Sequence, residues 1–302
     1  MCGSFKPTNH KKKHKKEDFK MSDDSTPPSG WIPMRQPIDV NRLGMYLEGK
    51  VPGFVNRDIK IWQANNGMSN PTYMMWSASR PKRKYVVRKK PPGKALPGAH
   101  QVDREYRILS ALKDTKVPVP QVHILCEDDD VVGKAFYVMD FLVGRVCEDA
   151  ELRKWTAGDR ATLVADMVRV LAELHNQDFE KLGLENHGKR GHYGKRQLKT
   201  WGRQFERGIP SIEANVHKHD KARLVLDYNE KMRTLIRRLQ IASEKIGECT
   251  TLVHGDYRIG NLMLRPEDPR ILAVLDWEIS TLGHPICDLA YVVFFFFSSL
   301  VP

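Results

Sequence analysis

The sequence predicts an α+β fold with two lobes, a β-rich N-terminal lobe and a mainly helical C-terminal lobe. Its 302 residues, 41% of them hydrophobic, are enough for two lobes around a sizeable core. Short alternating apolar segments dominate residues 31–142, whereas longer segments with helical periodicity dominate residues 143–302. Because the chain stops within an apolar helix, we expect the helical lobe to be incomplete.

Residues 1–30 are predicted to form a disordered basic tail. The first twenty residues hold seven lysines and two acidic residues, so +5 of the net +12 lies there and about +7 remains on the body. Such a segment buries too little apolar surface to become ordered. The charge favours an anionic partner, but the run KKKHKK reads as a solvated tail, and we expect no specific nucleic-acid partner.

The cysteines and the chain ends indicate a reducing, intracellular setting. Five scattered cysteines without a C-x-x-C pair argue against a disulfide framework and against a zinc site. The N-terminus has neither the apolar core of a signal peptide nor the Arg-rich pattern of a transit peptide. The final segment LAYVVFFFFSSLVP is apolar but shorter than the roughly 20 residues of a spanning helix, so no transmembrane segment is expected.

The N-terminal lobe is predicted to combine several strands with one helix. The strands are DIKIWQ, TYMMWSAS, KYVVRKK and AFYVMDFL, and VPVPQV is a connection. The helix is HQVDREYRILSALKD, in which Val102, Glu105, Leu109 and Leu112 share one face. Glu105 therefore lies on an otherwise apolar stripe, where a carboxylate needs a cationic or hydrogen-bonding partner.

The C-terminal lobe is predicted to begin with helices over residues 159–176, around Trp201 and over residues 224–239. The segment LVHGDYRIGNLML follows, with Asp256 and Asn261 on a turn between apolar segments. A strand RILAVLD then ends at Asp276. We expect these three polar side chains to lie close together.

An acid, an amide and a second acid in this order fit phosphoryl transfer. Mg²⁺ prefers oxygen ligands, which Asn261 and Asp276 supply, while Asp256 orients the attacking hydroxyl and accepts its proton. The spacing matches the kinase catalytic loop H-x-D-x-x-x-x-N, with Gly255 where protein kinases have Arg, and Asp276 stands where the D-F-G Asp would. The alternative is three ordinary turn or cap residues.

A cation for the ATP phosphates is expected on the strand VVRKK. Arg88, Lys89 and Lys90 are all candidates, and Arg88 is the first choice because it continues the strand. An ion pair with Glu105 would explain the carboxylate on the apolar stripe. The segment NNGMSNPTY does not fit G-x-G-x-x-G, yet its backbone and side chains offer phosphate donors. The candidates there are Gly67, Ser69, Asn70 and Thr72.

The segments VHGDYRIGN, AVLDWE and GHPICDLAY resemble the aminoglycoside phosphotransferase and choline kinase family, whose fold is protein-kinase-like. More narrowly, QANNGMSNPTY, VVRKKPPGKAL, HQVDREYRIL, FYVMDF, KRQLKTWGRQ and LDWEISTLGHP are similar to the kinase domain fused to acyl-CoA dehydrogenase in family members 10 and 11. The resemblance covers residues 31–291. It implies phosphorylation of a 4-hydroxyacyl-CoA with ATP and Mg²⁺, a fused dehydrogenase domain, and a peroxisomal or mitochondrial location.

The resemblance also implies a role for each matching residue. Asp256 becomes the base, Asn261 and Asp276 become the magnesium ligands, and Arg88 with Glu105 becomes the phosphate-binding ion pair. The remaining roles fall to a hinge that meets adenine by its backbone (Met139–Phe141), a loop-supporting histidine (His254) and a loop anchor (Asp288).

A small substrate is expected, because only eleven residues separate Asp276 from Asp288, too few for a peptide-docking activation segment. The basic segment GKRGHYGKRQLKTWGRQFER suits the phosphates of a CoA ester, with Arg196 as a contact and Tyr193 and Trp201 as stacking partners for adenine. An exposed basic helix face is an equal alternative. Two functions stay open: a small-molecule kinase, and a truncated non-catalytic nucleotide-binding or interaction module.

Overall fold

A six-stranded antiparallel sheet forms the N-terminal lobe. The computed structural model describes residues 30–65, 70–93, 101–147, 152, 155–216 and 222–300, so the predicted tail up to residue 29 lies outside the described residues. The strands are β1 (Trp31–Ile32), β2 (Ile59–Ala64), β3 (Thr72–Ser77), β4 (Lys84–Lys89), β5 (Val122–Cys126) and β6 (Phe136–Asp140). Their order in the sheet is β1-β2-β3-β4-β6-β5.

The prediction of a single helix in this lobe is wrong. Beside the expected α2 (Val102–Leu112), the lobe contains α1 (Val40–Leu47) and the short α3 (Asp129–Val132). Helix α1 begins at a local signal, because the Asp39 side chain accepts a hydrogen bond from the Arg42 N–H at 2.9 Å. The predicted connection VPVPQV is one residue shorter, because Val122 begins β5, a strand that the sequence analysis does not predict.

The C-terminal lobe is mainly helical, which confirms the predicted α+β fold with two lobes. Its helices are α4 (Ala157–His175), α5 (Tyr193–Val216), α6 (Ala222–Ser243) and α7 (Ile286–Leu300). Its short strands are β7 (Arg145–Val146), β8 (Thr251–Val253), β9 (Leu262–Leu264), β10 (Ile271–Val274) and β11 (Thr281–Gly283). They form a three-stranded sheet β10-β9-β7 and a two-stranded sheet β11-β8.

Side-chain alternation in β4 decides where Arg88 points. Tyr85 and Val87 pack into one core with α1, whereas Val86 packs into the other core with α2. Because successive side chains in a strand point to opposite faces, Arg88 shares the face of Val86. It therefore faces α2, on which Glu105 is almost completely buried.

One of the two hydrophobic cores extends across both lobes. The cluster that holds Val86 and α2 continues through Leu171 of α4 and Trp277 beside β10. Strand β7, just after the N-terminal lobe, pairs with β9. No helix among the described residues is long and apolar enough to cross a membrane.

Candidate active site

The loop after β8 is anchored by the carboxylate of Asp288, in the first turn of α7. The N–H groups of His254 and Gly255 each donate to one of its oxygens at 2.8 Å. The ring of His175, at the end of α4, approaches the same carboxylate at 3.0 Å. Asp288 thus occupies the anchoring position predicted for it, and His175 is a second support that the sequence did not indicate.

The ring of His254 joins this loop to the strand that leads to Asp276. It is fully buried, which lowers its pKa and keeps the ring neutral. Its Nε2–H donates to the Leu275 carbonyl at 2.9 Å, so Nδ1 is left to accept the Asp256 N–H at 3.2 Å. This is the loop-supporting contact that the sequence predicted for His254.

Asp256 and Asn261 are held together by two hydrogen bonds. The Asn261 Nδ2 donates to the Asp256 carbonyl at 2.9 Å and to its Oδ2 at 2.8 Å. Both donors of the amide are then used, and the amide oxygen is the ligand atom that remains. The Leu275 N–H donates to the Asn261 carbonyl at 2.8 Å, which brings Asp276 next to this pair.

Asp276 meets the N-terminal lobe through Arg88. The guanidinium lies 2.6 Å from Asp276 Oδ1, 3.0 Å from Glu105 Oε2 and 3.8 Å from Glu278 Oε2. The Arg88 Nε–H does not point at Glu105, so that contact is electrostatic rather than a hydrogen bond. Burial raises the pKa of Glu105 to about 7, and Arg88 opposes the rise.

The two neighbouring lysines serve other partners, which agrees with the choice of Arg88. The Lys89 ammonium is buried and donates to the Val132 carbonyl at 3.0 Å. The Lys90 ammonium lies 3.1 Å from Asp103. Alternation along β4 explains the Lys89 contact, because Lys89 points to the face opposite Arg88, whereas Lys90 lies beyond the end of the strand.

Two positions of the site have a left-handed backbone conformation. Asp276 adopts a left-handed conformation with φ of 63°, which is uncommon for a residue other than glycine. Gly255 has φ of 86°, and a Cβ there would lie 3.1 Å from the Ile279 carbonyl oxygen. The arginine of protein kinases could not occupy this position without a shift of the neighbouring backbone.

Sequence reasoning missed three side chains that line the site. Glu278 accepts a hydrogen bond from Asn70 Nδ2 at 3.2 Å. Arg258 Nε lies 3.3 Å from Asp256 Oδ1, and the Tyr291 hydroxyl also hydrogen-bonds to Asp256. Arg258 lies within the catalytic-loop motif and Glu278 within the quoted Asp-Trp-Glu, so both had a local signal. Tyr291 comes from α7 and had none.

The predicted phosphate loop is described only at its end. Gly67 and Ser69 lie outside the described residues. Asn70 is buried, and its amide connects β3 with Glu278 in the other lobe. The Asn70 Oδ1 has no hydrogen-bond partner among the described residues, so it is an acceptor at the edge of the cleft.

Two backbone N–H groups of the predicted hinge, Met139–Phe141, are used within the sheet. Met139 pairs with Val86 on one side and Val122 on the other, so its backbone is inside the sheet. The Phe141 N–H donates to the Lys84 carbonyl at 3.2 Å. These two N–H groups are therefore unavailable to adenine.

Of the three predicted substrate contacts, Tyr193 and Arg196 lie together, and Trp201 is exposed to solvent. The Tyr193 ring packs against Gly283, and the Arg196 guanidinium lies 5.7 Å from its centre. Arg196 also donates to the carbonyls of Arg190 and Lys189, so both side chains serve the fold. Trp201 is 62% exposed on α5. Adenine stacking on the Tyr193 ring would require displacement of its contacts with Gly283 and Arg196.

A groove lies farther along the basic face of α5. Its volume is about 330 Å³, and it is lined by Thr200, Arg203, Gln204 and Arg207. Two guanidinium groups in one groove can bind phosphate by paired hydrogen bonds. The basic segment thus divides into a structural part around Arg196 and a groove-lining part.

The amino-acid sequence is similar to those of known proteins. The chain matches the phosphotransferase enzyme family (APH) over residues 60–302. It is 36% identical over 263 residues to acyl-CoA dehydrogenase family member 11 of Rattus norvegicus, and 38% identical over 255 residues to family member 10 of Mus musculus. These alignments cover 86% and 84% of this chain, but 31% and 22% of the relatives.

Solved structures confirm the fold. A "putative aminoglycoside phosphotransferase" from Ralstonia eutropha JMP134 has a TM-score of 0.68 and 36% identity, over 85% of this chain and 69% of that one. The GDP complex of wild-type aminoglycoside 2'-phosphotransferase-IIIa has a TM-score of 0.60 and 14% identity. The match covers 86% of this chain and 82% of that one. The chain belongs to the phosphotransferase enzyme family (APH).

Proposed function

We propose that this phosphotransferase transfers the γ-phosphoryl group of ATP to the hydroxyl group of a 4-hydroxyacyl-CoA. The observation that carries the proposal is the cluster of Asp256, Asn261 and Asp276, which faces Arg88 of the other lobe. A loose phosphoryl-transfer transition state needs positioning and charge neutralisation more than covalent chemistry. Two acids, an amide and a guanidinium supply both.

Each side chain of the cluster has a separate task in this proposal. Asp256 orients the attacking hydroxyl and accepts its proton, while Asn261 fixes the orientation of that carboxylate. Arg88 binds the phosphates of the nucleotide and is supported by Glu105 from behind. The anchored loop holds these groups before substrate arrives, which reduces the entropy cost of alignment.

The residues at the cluster fit a magnesium ion. The amide oxygen of Asn261 and the second carboxylate oxygen of Asp276 would hold it, and Mg²⁺ commonly takes only one or two protein ligands beside phosphates and waters. Arg88 faces three carboxylates, and a divalent cation would offset this excess of negative charge. When bound, Mg²⁺ neutralises charge on the transferred phosphoryl group.

The acyl-CoA part of the proposal has two supports. The curated relatives at 36% and 38% identity are named acyl-CoA dehydrogenase family members, and this chain aligns with part of each. The basic groove on α5 offers Arg203 and Arg207 to a phosphate-rich ligand. A CoA ester carries such phosphates, whereas choline and aminoglycosides are cations.

The test is turnover on a panel of acceptors with Mg²⁺ and ATP. The purified chain is assayed with 4-hydroxyacyl-CoA esters of several lengths, with choline and with an aminoglycoside, and phosphorylated products are identified by mass spectrometry. We expect product only from the acyl-CoA esters. Asp256→Asn, which removes the proton acceptor and keeps the size, should lower kcat by about 10²- to 10⁴-fold with little change in nucleotide affinity.

Each other result has a defined meaning. Phosphorylation of the aminoglycoside or choline alone would reject the acyl-CoA substrate and keep the phosphotransferase. Nucleotide binding without transfer to any acceptor would favour the non-catalytic nucleotide-binding module. Equal activity of Asp256→Asn and the unaltered chain would reject Asp256 as the base.

A further inference from the structure

A second contact between the lobes lies beside the phosphate site. Arg104, the residue before Glu105 on α2, extends from the N-terminal lobe to two carbonyl groups of the C-terminal lobe. Its Nη2 donates to the His187 carbonyl and, at 2.8 Å, to the Ser280 carbonyl. The phosphoryl-transfer chemistry described above does not use this half-buried guanidinium.

The two carbonyls belong to segments that are themselves joined. Ser280 Oγ–H donates to the Trp277 carbonyl at 2.7 Å, and a hydroxyl has one proton. The 2.9 Å contact between His187 Nε2 and Ser280 Oγ must therefore be donated by His187. This fixes the tautomer, with Nδ1 unprotonated, buried and without a partner among the described residues.

The segments also approach each other closely in their backbones. A Cβ at Gly188 would lie 2.2 Å from Thr281 Oγ1 and 2.6 Å from the Leu282 nitrogen. Only glycine lets the chain after His187 lie against β11 in this way. The cluster of Arg104, His187 and Ser280 thus rests on two segments that are packed tightly against each other, the chain at Gly188 and strand β11.

The cluster closes the turn that follows Asp276. The Ser280 N–H donates to the Trp277 carbonyl at 3.1 Å, and Asp276 immediately before this turn has the left-handed φ of 63°. Helix α2 therefore contacts the turn at two places. Glu105 acts through Arg88 on Asp276, and Arg104 acts directly on Ser280.

We infer that Arg104 is a positioning residue that fixes the separation between α2 and the Asp276 turn, and so aligns the two halves of the nucleotide-phosphate site. The catalytic consequence rests on the proposed function. The structural consequence, a turn ordered by α2, does not. Loss of Arg104 should loosen the turn and weaken nucleotide binding without touching any group that contacts the acceptor.

Matched variants on the same helix test this role. Arg104→Ala removes both hydrogen bonds, Arg104→Lys retains the charge and one donor group, and Arg107→Ala removes the same charge from an exposed position of α2. A hydrogen bond from a charged group is worth about 1.5–3 kcal/mol, or roughly 10- to 100-fold in affinity. We expect Arg104→Ala to raise the Kd and KM for Mg·ATP by that factor, with partial recovery in Arg104→Lys and less than about twofold change in Arg107→Ala.

Two readouts do not require turnover. Calorimetry gives the nucleotide Kd without an acceptor, and hydrogen exchange reports the amides of residues 277–283, which should exchange faster in Arg104→Ala only. If the unaltered chain phosphorylates no acceptor, the proposed function fails while these two measurements still decide the role of Arg104. Unchanged exchange and Kd in Arg104→Ala, or equal effects of Arg107→Ala, would overturn the inference. Should Arg104→Ala not fold, Arg104→Lys must show a measurable part of both changes.

Discussion

At the scale of single residues, His187 offers a pH-dependent test of the interlobe cluster. Burial lowers its pKa from 6.5 to about 4, and Arg104 and Arg107 contribute to the shift. The unfolded chain takes up a proton near pH 6.5, while the folded chain does not until about pH 4. The free energy of unfolding therefore falls as the pH drops through this window.

The variant His187→Gln isolates this effect, because Gln keeps a donor for Ser280 and does not titrate. Between pH 7 and pH 5, the unaltered chain should lose about 2 kcal/mol more unfolding free energy than the variant. Urea unfolding at the two pH values measures the difference, and the other histidines cancel between the proteins. Parallel losses in both proteins would show that His187 is protonated in the folded state.

The site residues divide into those with a local sequence signal and those without one. Asp256, Asn261 and Asp276 could be predicted because their spacing along the chain fixes their spacing in the fold. Arg88 could be predicted because it continues the apolar strand before it. Tyr291 reaches Asp256 from α7, and such a contact depends on packing that periodicity does not encode.

At the scale of elements, long periodic segments were predictable and short capped ones were not. Helix α2 was found because its apolar stripe spans three turns. Helix α1 has eight residues and depends on the Asp39 cap, and its Gly44 backbone packs where a Cβ would lie 2.2 Å from Asn56 Oδ1. So short a helix is not stable alone, and its stability comes from this tertiary packing, which the sequence does not show.

Helix α4 fixes the start of the strand that leads to Asp276. The buried Asp166 carboxylate accepts the Ile271 N–H at 2.8 Å, at the first residue of β10. Asp166→Ala leaves that buried N–H unpaired and should cost about 1–3 kcal/mol of unfolding free energy. Asp166→Asn keeps an acceptor oxygen and should cost clearly less. Urea unfolding of both variants checks the prediction, which equal losses would contradict.

At the scale of the whole molecule, one guanidinium joins the lobes electrostatically. Arg88 comes from β4, Glu105 from α2, and Asp276 and Glu278 from the C-terminal lobe. Removal of the cation would leave carboxylates unpaired, and Glu105 is fully enclosed. These ion pairs therefore stabilise the contact between the lobes in the absence of nucleotide.

We expect Arg88→Met to cost about 3–5 kcal/mol, the usual loss when one partner of a buried ion pair is removed. The double variant Arg88→Met with Glu105→Leu should recover part of that loss, because the buried carboxylate on α2 is then removed together with its cation. Thermal and urea unfolding of the two proteins measure the difference. A double variant less stable than the single one would contradict the electrostatic explanation.

The pairing of β7 with β9 has a consequence for how the cleft opens. Beyond residue 144 the chain that leaves the N-terminal lobe is bonded to the strand that follows Asn261, and Gly144 lies too close to Met263 for a side chain. A rotation between the lobes must therefore use the dihedral angles of residues 141–144. Because this axis lies near the catalytic loop, such a rotation would displace the far rim of the cleft most and Asp256 least. We therefore expect the geometry of Asp256 and Asn261 to be the same before and after such a rotation.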